Sequence, residues 1–396
     1  MLTAVTRSSV PVSRADVAAR TGLTKATVST QADRLLRARL IVEGEPVARV
    51  GPGRPAAGLS LCGDRVAAIG LEIGVDHLTG CVRDLRGAVR HRAVAVGDHR
   101  DRQPAEVVRA AADLVAGLRR DAVSDGLSIA GVGVGVPGLV DTLTGQVLLA
   151  PNLGWRRLEI GRPLSAAGDG VGVVVENEAT LSALAEMGYP TSRSEPDVDT
   201  DAGFVVVSGE VGIGAGVVMD GELVRGRHGW SGELGHVTVD AGGDACGCGA
   251  RGCLEVFAGQ EAILLAAGRA EVVPTVRDLG SARAVDALGE LVRAAEAGEG
   301  TALAALSRAG TALGVALSSA VNMLDVDAVV LGGIYARLAP WVVPQVEREL
   351  SVRVLRSRLR PVRVVVSRIG PDAAMLGAAA LVLRDVLSAP VPWLVS

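Results

Sequence analysis

The chain has 396 residues, 49% apolar and only 2% aromatic, with 40 Lys and Arg against 44 Asp and Glu for a net charge of −4. That length predicts two or three domains with a core large enough to need no staples, and five cysteines argue against a disulfide framework. No run of about 18 residues lacks a polar or charged break, so no membrane span is expected. The opening residues have no apolar run of the secretory kind, and the expected location is cytoplasmic.

Charge is uneven along the chain. Residues 1–61 hold nine basic against four acidic side chains, a net +5 that leaves −9 for the rest. This is the balance of a small DNA-reading module on a body that does not read DNA. Ser13 with Asp16 three places on is a capping-box-like start. Gly22 breaks that helix and Thr24 caps a second, whose Val28, Ala32, Leu35 and Leu36 follow a buried-face spacing. Two helices on a short glycine turn predict a helix-turn-helix. A short strand at Leu40–Glu45, the loop Gly51–Pro55, and Leu59 with Leu61 complete a predicted wing.

From Val66 the pattern changes to strands separated by helices. Strands are predicted over 67–74, 129–138, 170–178, 328–333 and 362–366, with a hairpin over 77–89 turning at Arg86-Gly87 and a strand–turn–strand over 204–221. Helices are predicted over 106–119 and 179–187, and the polar stretch 190–203 reads as a surface loop. Repeated units of this kind imply an α/β body of two lobes with a cleft between them.

The sharpest chemical signal is His236 followed by Cys246, Cys248 and Cys253, four soft or borderline ligands within 18 residues. Their spacing matches tetrahedral zinc, and glycines at 242, 243, 247, 249 and 252 allow the turns. Four protein ligands leave no open position, so the expected ion is a structural zinc. Cys62 and Cys81 are isolated and expected to be small core residues.

Glu233-Leu-Gly-His236, followed by the cysteine run ending in Cys253-Leu-Glu255, resembles the signature of the ROK family of repressors, open reading frames and sugar kinases. VGVPGLVD at 134–141, PNLGW at 151–155, VVENEATLSALAE at 174–186, GIGAG at 212–216 and LGG at 331–333 resemble its other motifs in order. SRADVAARTGLTKATVS and Gly-Arg-Pro resemble the winged head of the repressor branch. The stretch GVDHLTGCVRDLRG is weakly similar to xylose-type repressors, which names a pentose among the candidate effectors without selecting it.

The resemblance implies a winged helix-turn-helix over residues 1–61 and an actin/hexokinase-like body over 62–396. It implies a sugar held between the lobes by Asn177, Glu233, His236 and Glu255, with His236 serving zinc through one ring nitrogen and sugar through the other. Trp230, close to Glu233 in sequence, is read either as near enough to the sugar for its fluorescence to report binding or as simple packing. Lys25, Thr27, Ser29 and Thr30 would face base edges, and Arg54 a narrow minor groove. Partners are operator DNA and a monosaccharide or sugar phosphate, with assembly as a homodimer or homotetramer and no membrane contact.

The kinase motifs are altered. A loop resembling D-I-G-G-T-K is Glu72–His77, placing Asp76 at a hydroxyl and losing the lysine, and a second loop carries Glu210. Two unpaired carboxylates are thereby expected to face the phosphates of a nucleotide. Glu178 stands at the position of the catalytic base, with an extra methylene that shifts its carboxylate by about 1 Å. A binding domain without phosphotransfer is therefore expected, the alternatives being an ATP-dependent sugar kinase with divergent loops and a sugar-binding module with an inactive head. Family heads carry a full helix before the S-R-A segment, of which only Met1–Thr6 remain here, so the head's own core is expected to be thin. Gln31 stands where relatives place an apolar residue.

Overall fold

A computed structural model of the chain describes residues 1–6, 10–47, 56–100, 102–188, 203–209, 211–269 and 282–394. The chain opens with α1 (Leu2–Thr6), α2 (Arg14–Thr21) and α3 (Lys25–Arg37). Ser13 and Asp16 form a reciprocal capping box on α2, and Gly22 ends the helix in the left-handed region. Thr24 caps α3 by accepting from the Thr27 amide at 3.2 Å. These local bonds set the helix-turn-helix, and α3 buries Val28, Ala32 and Leu35 while Leu36 is half-buried. Arg14 ties the three elements together, bonding Asp33 of α3 and Glu43 of the next strand, each at 2.9 Å. That strand, β1 (Ile41–Val47), pairs antiparallel with β2 (Ala56–Leu61). The intervening loop with Arg54 lies outside the described residues, as do residues 190–202 of the polar stretch and Glu210.

The body contains two five-stranded sheets. The first is built from β3 (Val66–Ile73), β4 (His77–Asp84), β5 (Val89–Val96), β6 (Ser128–Val136) and β10 (Val173–Asn177), in the order β10-β6-β3-β4-β5. The second uses β11 (Phe204–Gly209), β12 (Ile213–Met219), β13 (Glu222–Leu223), β14 (Ala328–Gly333) and β15 (Arg363–Val366), in the order β13-β12-β11-β14-β15. Each sheet is an antiparallel meander extended by two parallel strands on the side of its first strand. One topology is thus used twice, which defines two lobes of the same design.

Three further strands, β7 (Leu139–Asp141), β8 (Gln146–Ala150) and β9 (Trp155–Glu159), make a small sheet that the sequence pattern does not announce. They are short and carry mixed polarity. The helix Gly300–Leu324 is, among the described residues, the one long and apolar enough by composition to cross a membrane. Its Leu306, Leu313 and Leu317 are fully buried in the second lobe, the pattern of a core helix.

The last helix, Ala373–Ser388, lies directly on the first sheet. A Cβ at Gly70 of β3 would fall 2.1 Å from the Met375 carbonyl oxygen, and one at Gly133 of β6 would fall 2.0 Å from that of Ala378. From the helix itself, a Cβ at Gly377 would meet the Leu181 carbonyl oxygen at 1.9 Å. Of its apolar residues, Met375, Ala379, Val382, Leu383 and Val386 share one buried cluster with Leu2, Val5, Val17, Val28, Leu35 and Leu59. The core of the head therefore continues into the first lobe. The short α1 contributes Leu2 and Val5, both buried, to this shared cluster.

Candidate functional site

His236 is presented by a single 3-10 turn, Leu234–His236, and the cysteines follow on tight turns. Cys246 donates its amide to Ala250 O at 2.8 Å, and Gly252 fits where any Cβ would strike the Asp240 carbonyl oxygen at 1.6 Å. The ligand atoms of His236, Cys246, Cys248 and Cys253 all lie within 4.8 Å of one another. Nδ1 of His236 is 3.8 Å from Cys246 Sγ, and the sulfurs of Cys248 and Cys253 are 3.7 Å apart. A tetrahedral ion with metal–sulfur bonds of about 2.3 Å would space its ligands by roughly 3.8 Å. The four residues could therefore hold a metal ion.

A cavity of about 600 Å³ lies between the lobes, and Asn177, Glu178, Glu233, His236 and Glu255 all line it. With Nδ1 facing the thiols, Nε2 of His236 lies 3.9 Å from Glu233 Oε2. One imidazole thus belongs to the cluster and to the cavity wall. Glu255 reaches across to accept from the Ile213 amide at 3.3 Å, anchoring the glycine turn before β12. Burial, reinforced by the Glu255 carboxylate and opposed by His236, holds Glu233 above the usual carboxylate range.

Asn177 ends β10 and is largely committed to backbone. Its Oδ1 accepts from the amides of Ala179 (2.8 Å) and Thr180 (3.2 Å), and its Nδ2 donates to Gly138 O at 3.0 Å. One amide hydrogen is left for a ligand. Glu178 opens the helix Glu178–Gly188 on the same wall.

The first phosphate-loop equivalent is arranged differently from expectation. Asp76 is not an unpaired charge in the cleft: its Oδ1 is 2.7 Å from His77 Nδ1, and neither residue lines the cavity. The His77 ring folds back over the loop, so close that a Cβ at Gly74 would lie 2.5 Å from it. Glu72, almost fully buried, is the carboxylate that does line the cavity, with His77 Nε2 at 3.7 Å and the Thr79 hydroxyl donating to it at 3.4 Å. An imidazole and a buried acid occupy the loop that cradles phosphate in the kinase pattern.

Behind the loop, buried His99 bonds Gly74 O through Nδ1 at 2.8 Å. Burial holds its imidazole below the ordinary histidine range, against the effect of that bond. Above about pH 6.5 His99 is neutral folded or unfolded, while below it the unfolded chain takes up a proton that the folded chain refuses. Stability should therefore fall as pH drops from 6.5, and the denaturant midpoint of His99→Gln should fall less steeply. Parallel pH profiles would contradict this.

In the head, Lys25, Thr27 and Thr30 are exposed near the start of α3, whereas Ser29 is half-buried. Thr27 shares its hydroxyl with Thr24 at 2.9 Å, and Thr30 donates to Ala26 O at 3.1 Å. Arg34 and Arg37 are exposed at helical spacing from Thr27 and Thr30. They extend the same face by two more turns, which the i, i+4, i+7 pattern of polar residues would have disclosed. Gln31 is half-buried.

Two lobes repeating one sheet topology around a central cavity define an actin/hexokinase-like protein. The ROK family model matches residues 68–385, and the chain belongs to the ROK family. The xylose repressor of Bacillus subtilis (strain 168) is 27% identical over 383 residues, covering 95% of this chain and 92% of that one. Among solved structures, a ROK family transcriptional regulator described as a homolog of the E. coli MLC protein superposes with a TM-score of 0.76 at 27% identity, over 95% of this chain and 92% of that chain. A ROK family glucokinase from Streptomyces griseus, in complex with glucose and AMPPNP, gives 0.65 at 26% identity, over 80% of this chain and 98% of that one.

Proposed function

We propose that this chain is a sugar-responsive transcriptional repressor of carbohydrate-metabolism genes. It acts in the cytoplasm as a homodimer or homotetramer. Residues 1–61 form a winged head that reads operator DNA through Lys25, Thr27, Ser29, Thr30 and Arg54, and residues 62–396 form the sensor. The observation that carries the reading is the union in one chain of a helix-turn-helix with an interlobe cavity whose wall shares His236 with the cysteine cluster.

The proposed ion is zinc, for which three thiolates and an imidazole are a fitting donor set. Bound there it would be structural, fixing the tautomer and angle of His236. Glu233, His236, Glu255 and the remaining amide hydrogen of Asn177 supply acceptors and donors suited to sugar hydroxyls. The replacement of the loop's lysine by His77, whose ring packs back over Gly74, supports binding without phosphotransfer. Sugar would favour one lobe arrangement over another and shift DNA affinity by the ratio of its affinities for the two.

Glu233→Ala is expected to weaken sugar binding by about 10- to 150-fold, the loss of a charged hydrogen bond worth roughly 1.5–3 kcal/mol. Calorimetric titration checks this, and an unchanged affinity would remove Glu233 from the site. The reading as a whole is tested by fluorescence anisotropy on DNA upstream of the gene, over a salt series, with a pentose and hexose panel. Salt-dependent binding shifted by one sugar supports it, and no binding to any fragment defeats it. One observation favours a sugar kinase instead, namely Glu178 on the cavity wall at the base position, and sugar-dependent ADP release would establish that alternative.

A further inference from the structure

Glu176 and Arg225 lie behind the cavity and are not themselves among its lining residues. Glu176 is the residue before Asn177 on β10, in the first lobe, and its carboxylate is 2% exposed. Its Oε1 accepts from the Asn177 amide at 3.0 Å, and its Oε2 accepts from Arg225 Nε at 2.8 Å. Arg225 belongs to the second lobe, on the segment that leads from β13 to Glu233 and His236. A buried carboxylate of one lobe is thus neutralised by a guanidinium from the other, 49 residues away in the chain.

The same segment makes a second crossing. Trp230 Nε1 donates to the Val140 carbonyl of β7 at 3.0 Å. At Gly229 a Cβ would sit 3.4 Å from the Thr142 side chain and 3.8 Å from Val140 O, so the backbone lies against the first lobe. Residues 225–230 are therefore pinned to the first lobe at both ends, just before the chain delivers Glu233 and His236 to the cavity.

We infer that Arg225 is a positioning residue that, through Glu176, sets the distance between Asn177 on one wall of the sugar cavity and Glu233 with His236 on the other. This rests on the sugar-sensor reading above. The pair fits a positioning role because it joins the backbone of Asn177 to the segment carrying the opposite wall. A misplacement of about 1 Å at such a site weakens binding and orientation far more than it weakens the fold. Removing Arg225 alone would leave Glu176 buried and uncompensated and would destabilise the chain. Removing both charges together separates stability from position.

The test uses the full chain, comparing the parent with R225M/E176M and with R225K. Sugar affinity is read by calorimetry over the pentose and hexose panel, and Trp230 emission is read without ligand, its share assigned from a Trp230→Phe control. The double variant is expected to keep its melting temperature within a few degrees and its metal content intact. It is expected to bind the responding sugar about thirtyfold more weakly or worse, and to shift Trp230 emission to the red as the ring leaves Val140. R225K, which keeps the charge, should recover most of both. A double variant that binds sugar within about threefold of the parent, or whose Trp230 emission is unchanged, overturns the inference. A parent that binds no sugar defeats the sensor reading instead, and the emission comparison still decides whether the latch exists.

Discussion

Cys253→Ser is expected to lower metal affinity at least about a hundredfold and to carry sugar binding down with it, since bound metal supplies the folding free energy of such a loop. Structural zinc binds finger-sized peptides with an apparent ~10–16 kcal/mol at neutral pH. The segment 236–253 resembles them, with tight glycine turns and few buried apolar side chains of its own. Two of the cavity residues hang on it. His236 would be a ligand, and Glu255 follows Cys253 by two positions, so loss of the cluster would free one wall of the cavity. Elemental analysis with calorimetric titration checks the pair of effects. A variant that lost its metal and kept the parent's sugar affinity would show that the cluster does not hold the wall.

Gly377→Ala should be among the most damaging single-methyl additions in the chain. Overpacking a filled core ordinarily costs about 1–3 kcal/mol, and here the new carbon would arrive 1.9 Å from a backbone oxygen, Leu181 O, with no flexible side chain to yield. The last helix must lift from the helix Glu178–Gly188, so the loss should reach about 3 kcal/mol or more, seen in the denaturant midpoint. Gly300→Ala is the control: nothing lies within 4 Å of its Cβ position, and it should be neutral or slightly stabilising. Because Ala373 and Ala374 at the near end of the last helix line the cavity, Gly377→Ala should also weaken sugar binding. Equal midpoints for the two alanine variants would mean that the last helix is free to shift.

Features written over a few residues were legible in the sequence. The Ser13–Asp16 capping box, the Gly22 stop, the Thr24 cap and the four-ligand cluster are all local, and each residue type has a short list of reasons to stand there. The cavity residues came from motif resemblance, and the fold gathers them although they are 78 positions apart, from Asn177 to Glu255. What stayed hidden depends on long-range pairing or on rotamers. The β7–β9 sheet uses strands of 3–5 residues whose partners fix them. Asp76 looks like a bare charge until the His77 ring is seen to turn back onto it. Arg225 is one arginine among 39 until Glu176 is placed beside it. The last helix is apolar around most of its circumference, AAMLGAAALVL, so no periodicity distinguishes the side facing the sheet from the side facing the head.

The buried cluster shared by Leu2, Val17, Leu35, Leu59 and the last helix has a consequence for modularity. A DNA-reading head with a sealed core of its own could be cut away or grafted onto another sensor. Here, trimming the chain at residue 61 would strip cover from Val66, Ala68, Met375, Leu383 and Val386 and leave an adhesive apolar surface on the first lobe. Recombination could therefore part head from sensor only together with a resurfacing of the last helix, and the two are better regarded as one inherited unit than as a reader bolted to a receptor.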